Sequence, residues 1–362
     1  MEKNNINLKK DEVTGNFYNY YRPSKFSEMI GQCDIIELAK KEIDKTSNSI
    51  IFAGSRGVGK TSLARIVSKT LNCVNVNNYE ACENCNNCKM FRDGSYNDYY
   101  EKDAASCRGI DEIRKIKENA VFPPILGKYK IFVLDEVHSL TSEAWQALLK
   151  ILEEPPSYCV FFLLTTNIYK IPDTIISRCR VYNFNNLSEE EIKIFILKIL
   201  NDRKIQYELP GIDLICSTAN GSMRDAVKIL EQVSLLGEIT EVNVRKCLNF
   251  YEEDYSNFIK FLKNKDSEDL LAYCFYLKNK GTDLNIFLDN FIIFLSNLLH
   301  FKILKRNSSI FIKNISENIN LQEIFNIFNL TNKIRIIFKK TNPNFSAFEI
   351  MVLEYANSNQ TI

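Results

Sequence analysis

From about Ser49 to Phe184 the chain alternates short apolar runs with segments in which apolar residues recur every three or four positions. The runs are SIIFA, NDYYEKD, KIFVLD, CVFFLLTT and RVYNF. Strands separated by helical spacings in this way predict a mainly parallel sheet covered by helices. The segment after KIFVLD shows the stripe most clearly, with Trp145, Leu148, Leu149 and Leu152 at i, i+3, i+4 and i+7. Pro155-Pro156 stops that helix, because proline cannot continue the hydrogen-bond ladder.

At Leu187 the pattern changes to helices alone. Ser188 followed by Glu191 predicts a capping box opening EEEIKIFILKIL. Asn220-Gly221 predicts the end of a second helix before Ser222 and Asp225 open a third. Beyond about Asn249 come further amphipathic stretches, marked by Phe258, Ile259 and Leu262, then by Leu284 to Leu304, then by Leu321 to Lys340, with asparagine-rich connections. The chain therefore divides into an α/β domain over 1–187, a small helical domain over 188–249 and a last helical domain over 250–362, with no internal repeat.

A length of 362 residues suits two or three domains, each with its own core. Lys and Arg number 46 against 45 Asp and Glu, so net charge does not point to nucleic acid and any contact must come from local patches. The opening MEKNNINLKKDEVTG has neither an apolar h-region nor a small-residue cleavage site, which leads us to expect a cytoplasmic chain without a secretory leader. Ile286 to Leu304 is the most apolar stretch, but Asp289, Asn290, Ser296, Asn297, His300 and Lys302 interrupt it, so a buried helix is expected rather than a membrane span.

Chemistry enters at Gly54 to Thr61, GSRGVGKT, which satisfies G-x-x-x-x-G-K-[ST] between a strand at Ile50 to Ala53 and a helix carrying Leu63, Ile66 and Val67. Gly54, Ser55, Arg56, Gly57, Val58 and Gly59 are the residues whose backbone N–H groups can turn inward around phosphates at a helix N-terminus. Lys60 supplies a point charge there and Thr61 a hydroxyl for Mg2+. A glycine-rich strand-to-helix turn without a ligand is the plainer alternative. Downstream, the apolar run Ile131 to Leu134 meets Asp135-Glu136. A carboxylate pair at the tip of a buried strand is costly unless a metal or water needs it. Asp135 is expected in the Mg2+ shell, and Glu136 is expected to polarise the attacking water.

The strand Phe161 to Leu164 ends in Thr165-Thr166-Asn167, where a hydroxyl or amide can orient water but where ordinary strand-end turn chemistry serves equally well. Arg224 falls in the first turn of the helix capped by Ser222, where the helix dipole disfavours a cation. An anion facing it, such as a nucleotide phosphate, explains the placement; a solvated arginine costs only roughly a few tenths of a kcal/mol.

Eleven cysteines in a chain of this size suggest metal more than disulfides. Cys73, Cys82, Cys85 and Cys88 form C-x8-C-x2-C-x2-C, and four thiolates at that spacing suit a closed tetrahedral Zn2+ site that stabilises a loop without doing chemistry. An iron–sulfur cluster lacks its C-x3-C-P continuation but stays open, as does a disulfide. The remaining cysteines, Cys33, Cys107, Cys159, Cys179, Cys216, Cys247 and Cys274, are scattered and are expected as small core or half-buried residues.

Taken in order, YRPSKFSEMIGQ (21–32), GSRGVGKT, the four-cysteine insert (73–88), DAAS (103–106), LDEVH (134–138), LLKILEEPP (148–156), ISRC (176–179) and GSMRDA (221–226) closely resemble the γ/τ subunit family of bacterial DNA polymerase III. The resemblance covers roughly residues 17 to 236; the last third matches mainly in length and helical character. It implies an AAA+ fold, in which an α/β ATPase domain, a helical lid and an all-α collar assemble into a five-membered ring or spiral with other clamp-loader subunits. It implies ATP as cofactor, the ring-shaped sliding clamp and primed DNA as partners, and no membrane. It also implies Arg178 as an arginine reaching the ATP of a neighbouring subunit, Thr165 as a first sensor, Arg224 as a second, and the four cysteines as zinc ligands. DNA held largely through its phosphates would be bound with little sequence preference and strong salt dependence, and Arg108 and Arg114 are the candidate contacts.

Cys107 stands where the family pattern leads us to expect a polar residue, and, if nothing else is encoded after the collar, the chain is expected to resemble the short family form without polymerase- and helicase-binding domains. The expected function is an ATP-hydrolysing motor that loads the clamp. A non-hydrolysing ring scaffold is the alternative, disfavoured by the intact Lys60, Thr61, Asp135 and Glu136. No nucleotidyl-transfer constellation is found, so a polymerase or other transferase activity is not expected, although a subunit of this kind takes its name from the DNA-directed DNA polymerase.

Overall fold

A computed structural model describes residues 16–106, 108–248, 252–304, 310–341 and 344–357. The expectations placed on the opening 1–15, on Cys107 and on the boundary at Asn249 lie outside the described residues. The chain forms two compact units, Met1–Cys247 and Leu248–Ile362.

In the first unit the elements run α1 (Phe17–Tyr20), α2 (Cys33–Asp44), β1 (Ser49–Ala53), α3 (Lys60–Leu71), α4 (Asn86–Arg92), β2 (Tyr99–Asp103), α5 (Ile110–Val121), β3 (Lys130–Asp135), α6 (Ser142–Glu153), β4 (Cys159–Thr165), α7 (Asp173–Ile176) and β5 (Arg180–Asn183). The five strands predicted from the apolar runs form one sheet in the order β2-β3-β4-β1-β5, every pair parallel. Side chains alternate between its two faces. Ile50, Phe52, Val133, Phe162 and Leu164 pack on one side against Ile36, Leu63, Ile66 and Val67 of α2 and α3. Ile51, Phe132, Leu134, Phe161 and Leu163 pack on the other against Ile113, Ile116, Trp145, Leu148 and Leu152 of α5 and α6. Burial on both faces explains why the central strands read as continuous apolar runs rather than alternating ones. Leu149, counted in the stripe of α6, packs against that core only partly buried.

The unit continues through α8 (Glu189–Arg203), α9 (Leu209–Thr218), α10 (Met223–Ser234) and α11 (Glu241–Cys247). Ser188 and Glu191 make the reciprocal capping box. Asn220 and Gly221 both take left-handed backbone, with φ of 49° and 80°, which turns the chain between α9 and α10. Ser222 then caps α10 by accepting from the Asp225 N–H.

The second unit contains α12 (Glu252–Asn264), α13 (Ser267–Asn279), α14 (Leu284–Leu304), α15 (Ile310–Asn318), α16 (Leu321–Lys340) and α17 (Phe345–Asn357). Its core is aromatic: Tyr255 and Phe258 meet Phe287, Phe291 and Phe348. By length and composition α14 could cross a membrane, which its polar interruptions had led us not to expect. Its Phe287, Leu288, Phe291, Phe294, Leu295 and Leu298 are nevertheless buried in this core, as expected for an internal helix.

A candidate nucleotide site and a candidate metal centre

The phosphate loop starts where β1, buried along its whole length, runs out. Gly54 at φ 151° passes so close to Phe184 that a Cβ would lie 2.6 Å from its carbonyl oxygen. Gly57 and Gly59 take left-handed backbone, at φ 80° and 105°, and Gly59 caps α3. Val58 between them is buried in the sheet core, while Arg56 lines the cavity above the loop. The loop is thus anchored by one side chain and otherwise built from backbone, leaving the first N–H groups of α3 to face the cavity.

Lys60 is 6% exposed, and its ammonium donates to the carbonyls of Gly54 at 2.8 Å and Ser55 at 2.7 Å. Burial holds its pKa below the usual lysine value, an effect partly offset by Asp135 and Glu136. A phosphate entering the loop offers this desolvated charge a full counter-charge in place of two carbonyl dipoles. Beside it, the Thr61 hydroxyl donates to Asp135 at 2.9 Å. A hydroxyl and a carboxylate oxygen at that separation are the donor set a hard, oxygen-seeking Mg2+ uses, so the residues fit that ion.

Glu136 follows with left-handed backbone, φ 50°, a strained conformation for a residue with a side chain. Its N–H donates to Asp135 at 2.9 Å, and its carboxylate accepts from the Thr166 hydroxyl at 3.1 Å. Thr165, fully buried, pairs in register with Ala53, the residue before the loop. Its hydroxyl accepts from the Asn167 N–H at 2.9 Å. The strand end therefore contains both of the chemistries the sequence left open: Asn167 caps a local turn by accepting from the Tyr169 N–H, and the Thr166 hydroxyl reaches the acidic pair, while that of Thr165 meets His138.

A cavity of about 200 Å³ opens over the loop. Lys60 and Thr61 line it from the first turn of α3, Asp135 and Glu136 from the end of β3, Arg224 from α10, and Tyr18, Arg22 and Met29 from the segment before α2. The Arg224 guanidinium stands 4.8 Å from the Tyr18 ring centroid, with Arg22 5.2 Å from the same centroid. Nε of Arg22 is buried without a hydrogen-bond partner among the described residues. Tyr18 is not among the candidates the sequence offers, and Arg22 and Met29 enter there only as part of the motif YRPSKFSEMIGQ, without a role.

Arg178 does not join this cavity. It precedes β5, whose first residue Arg180 pairs with Ile50 near the start of β1. The phosphate loop lies past the far end of that same strand, roughly 15 Å away at strand rise. Arg178 instead ion-pairs with Glu153 at 2.9 Å and donates to the Thr174 carbonyl at 2.7 Å. Arg108 donates to the carbonyl of Ala105, and Arg114 pairs with Asp111 on the exposed face of α5.

The cysteine insert brings the four Sγ atoms of Cys73, Cys82, Cys85 and Cys88 within 4.8 Å of one another. Tetrahedral Zn–S bonds of about 2.3 Å require sulfurs about 3.8 Å apart, so a small contraction completes the site. The N–H groups of Cys82, Cys85 and Cys88 point at the sulfurs of Cys73, Cys82 and Cys85 at 3.2, 3.3 and 3.5 Å, as they do toward thiolates. The N–H groups of Asn84 and Cys85 bring Cys82 down to about 6, whereas burial raises Cys73 and Cys88. The donor set fits zinc, and Cys88 is fully buried beneath it.

The insert also grips the chain leading to the cavity. Glu80 accepts from the N–H groups of Phe26 at 3.1 Å and Ser27 at 2.8 Å. Lys69 of α3 joins the Ser24 carbonyl at 2.7 Å and the Glu83 carboxylate.

Comparisons with known proteins place the chain in a family. Residues 32–188 match the family model described as DNA polymerase III, delta subunit, and residues 191–238 match the clamp loader subunit ATPase lid domain of DNA polymerase III. The chain is 36% identical over 285 residues to DNA polymerase III subunit gamma of Buchnera aphidicola subsp. Baizongia pistaciae, covering 77% of this chain and 76% of that protein. It is 34% identical over 350 residues to DNA polymerase III subunit tau of Bacillus subtilis, covering 93% of this chain but 62% of that protein. Among solved structures, the Thermotoga maritima RuvB Holliday junction branch migration motor superposes with a TM-score of 0.50 at 14% identity, over 80% of this chain and 100% of that one, which shows a shared AAA+ fold.

Two outcomes are expected. Gly57→Ala places a Cβ 2.2 Å from the Ser222 hydroxyl at a left-handed φ, so it should destabilise the first unit by about 1–3 kcal/mol and weaken nucleotide binding; thermal unfolding and titration with a fluorescent ATP analogue measure both. Metal analysis should return about one zinc per chain, and a chelator should lower the Tm. A Tm indifferent to both the chelator and Cys82→Ala would show that the four sulfurs hold no structural metal.

Proposed function

Since the chain belongs to the γ/τ subunit family of bacterial DNA polymerase III, we propose that it is the ATP-hydrolysing motor of a clamp loader, one that places a sliding clamp on primed DNA. The observation that carries this reading is the convergence of Lys60, Thr61, Asp135, Glu136 and Arg224 on one cavity, with Arg178 at the opposite end of the strands.

On this reading each residue has one task. Lys60 and the loop N–H groups bind and orient the phosphates. Thr61 and Asp135 hold Mg2+. Glu136 orients the attacking water and takes up its proton, while Thr165 senses the terminal phosphate from the adjoining strand. Arg224, at the N-terminus of α10, ties the state of the lid to the charge in the cavity. Bound Mg-ATP supplies the phosphoryl group and the metal charge that offsets it. Arg178 serves the site of a neighbouring subunit, so hydrolysis needs a ring, which by the family resemblance has five members. The division into an ATPase domain, a lid and a collar follows the same reading, as does a cytoplasmic setting. Arg108 and Arg114 contribute phosphate contacts to DNA, and a non-catalytic zinc braces the insert.

A non-hydrolysing scaffold would have no use for the Thr61–Asp135 pair or for a strained Glu136. No nucleotidyltransferase constellation accompanies the cavity among the described residues, and transferase activity is not proposed.

Purified chain combined with clamp, partner subunits and primed DNA should hydrolyse ATP. Lys60→Ala should cut that stimulated rate by about 10²-fold or more; an unchanged rate would remove the motor assignment. Arg178→Ala should lower hydrolysis by about 10³-fold in a ring while leaving the nucleotide affinity of the isolated chain intact. Rings mixing wild type with Arg178→Ala should lose activity at the neighbouring site, and loss confined to the mutated subunit would exclude a role in trans.

A further inference from the structure

We propose that His138 is a positioning residue for Glu136: its Nδ1–H steadies the carboxylate, and Thr165 fixes the ring. The inference deepens the motor reading above and rests on Glu136 as the residue that orients water. His138 is one of only two histidines in the chain. It lies in the short 3-10 turn Val137–Ser139, directly after the left-handed Glu136, and that turn brings the imidazole back beside the acidic side chain.

Nδ1 lies between two oxygens, hydrogen-bonded to one and in close electrostatic contact with the other. Nδ1 stands 3.2 Å from the Thr165 hydroxyl oxygen and 3.3 Å from Oε2 of Glu136. The same Oε2 accepts from the Thr166 hydroxyl, whereas Oε1 makes no hydrogen bond among the described residues. One carboxylate oxygen is therefore tethered and the other is left to work on water. With Nδ1 protonated, the ring faces two acceptors, the hydroxyl and the carboxylate. With Nδ1 bare, its lone pair faces the carboxylate, and only the Thr165 O–H relieves it. The carboxylate thus selects the Nδ1–H tautomer. Thr165, itself pinned by the Asn167 N–H, sets how far the ring can turn.

The tautomer is directly measurable. Long-range 15N NMR of the imidazoles, with His300 as the internal comparison, should show His138 mainly as Nδ1–H, shifting toward Nε2–H in Glu136→Ala. In stimulated rings, His138→Ala should lower kcat about tenfold while the affinity for a non-hydrolysable ATP analogue stays within about twofold. His138→Asn, whose amide N–H reaches the place of Nδ1–H, should recover most of the rate. An Nε2–H ring in the wild type, or an alanine variant with unaltered kcat, overturns the proposal. If Lys60→Ala left the stimulated rate unchanged the motor reading would fail instead, and the tautomer would still decide the geometry on its own. Should His138→Ala fail to fold, the wild-type spectrum and the asparagine variant carry the test.

Discussion

One close approach governs the nucleotide site: the phosphate loop touches the start of α10 backbone to backbone. The N–H of Met223 donates to the Gly57 carbonyl at 3.1 Å, and there is no room at Gly57 for a Cβ beside Ser222. The loop's left-handed turn and the cap of α10 are therefore parts of one joint. Because the joint is backbone, the sheet and the helical segment that follows it meet without an intervening side chain, and Arg224, two residues past the cap, lands in the cavity. Any movement of α10 must pull on the loop that holds the phosphates.

The acidic pair depends on a second constraint. A carboxylate at the end of a buried strand has lost part of its hydration, and hydrogen-bond donors replace it. Asp135 finds the Thr61 hydroxyl and the Glu136 N–H, while Glu136 finds Thr166 and lies near His138. The neighbouring strand end thus supplies one of those donors, the Thr166 hydroxyl. The two adjacent hydroxyls divide the work: Thr166 donates to Glu136, and Thr165 meets His138 and the Asn167 N–H.

What could be read in the sequence was local. The strands, the capping box at Ser188, the phosphate loop and the cysteine spacing depend on residues a few positions apart, and the bounds of α14 and α16 coincide with the apolar stretches that predicted them. The cavity was legible only in part. Lys60 and Thr61 announce themselves, but Tyr18 and Arg22 reach the site through a chain path gripped by Glu80 and Lys69, contacts spanning about fifty residues that no periodicity encodes. His138 was visible as part of LDEVH without a task, because its task depends on the turn at Glu136 and on a different strand. The placement of Arg178 away from the loop follows from strand register, which sequence spacing does not specify.

That register gives the subunit a direction. In an all-parallel sheet every strand starts at one edge and ends at the other, so the phosphate loop and Arg178 cannot share an edge. If Arg178 serves a neighbour, each copy is a donor on one side and an acceptor on the other, and the contact between copies is head-to-tail rather than two-fold. Such a chain of subunits has polarity. When it fails to close, one arginine and one cavity remain unmatched at its two ends, so a gap in the ring is also a gap in the chemistry.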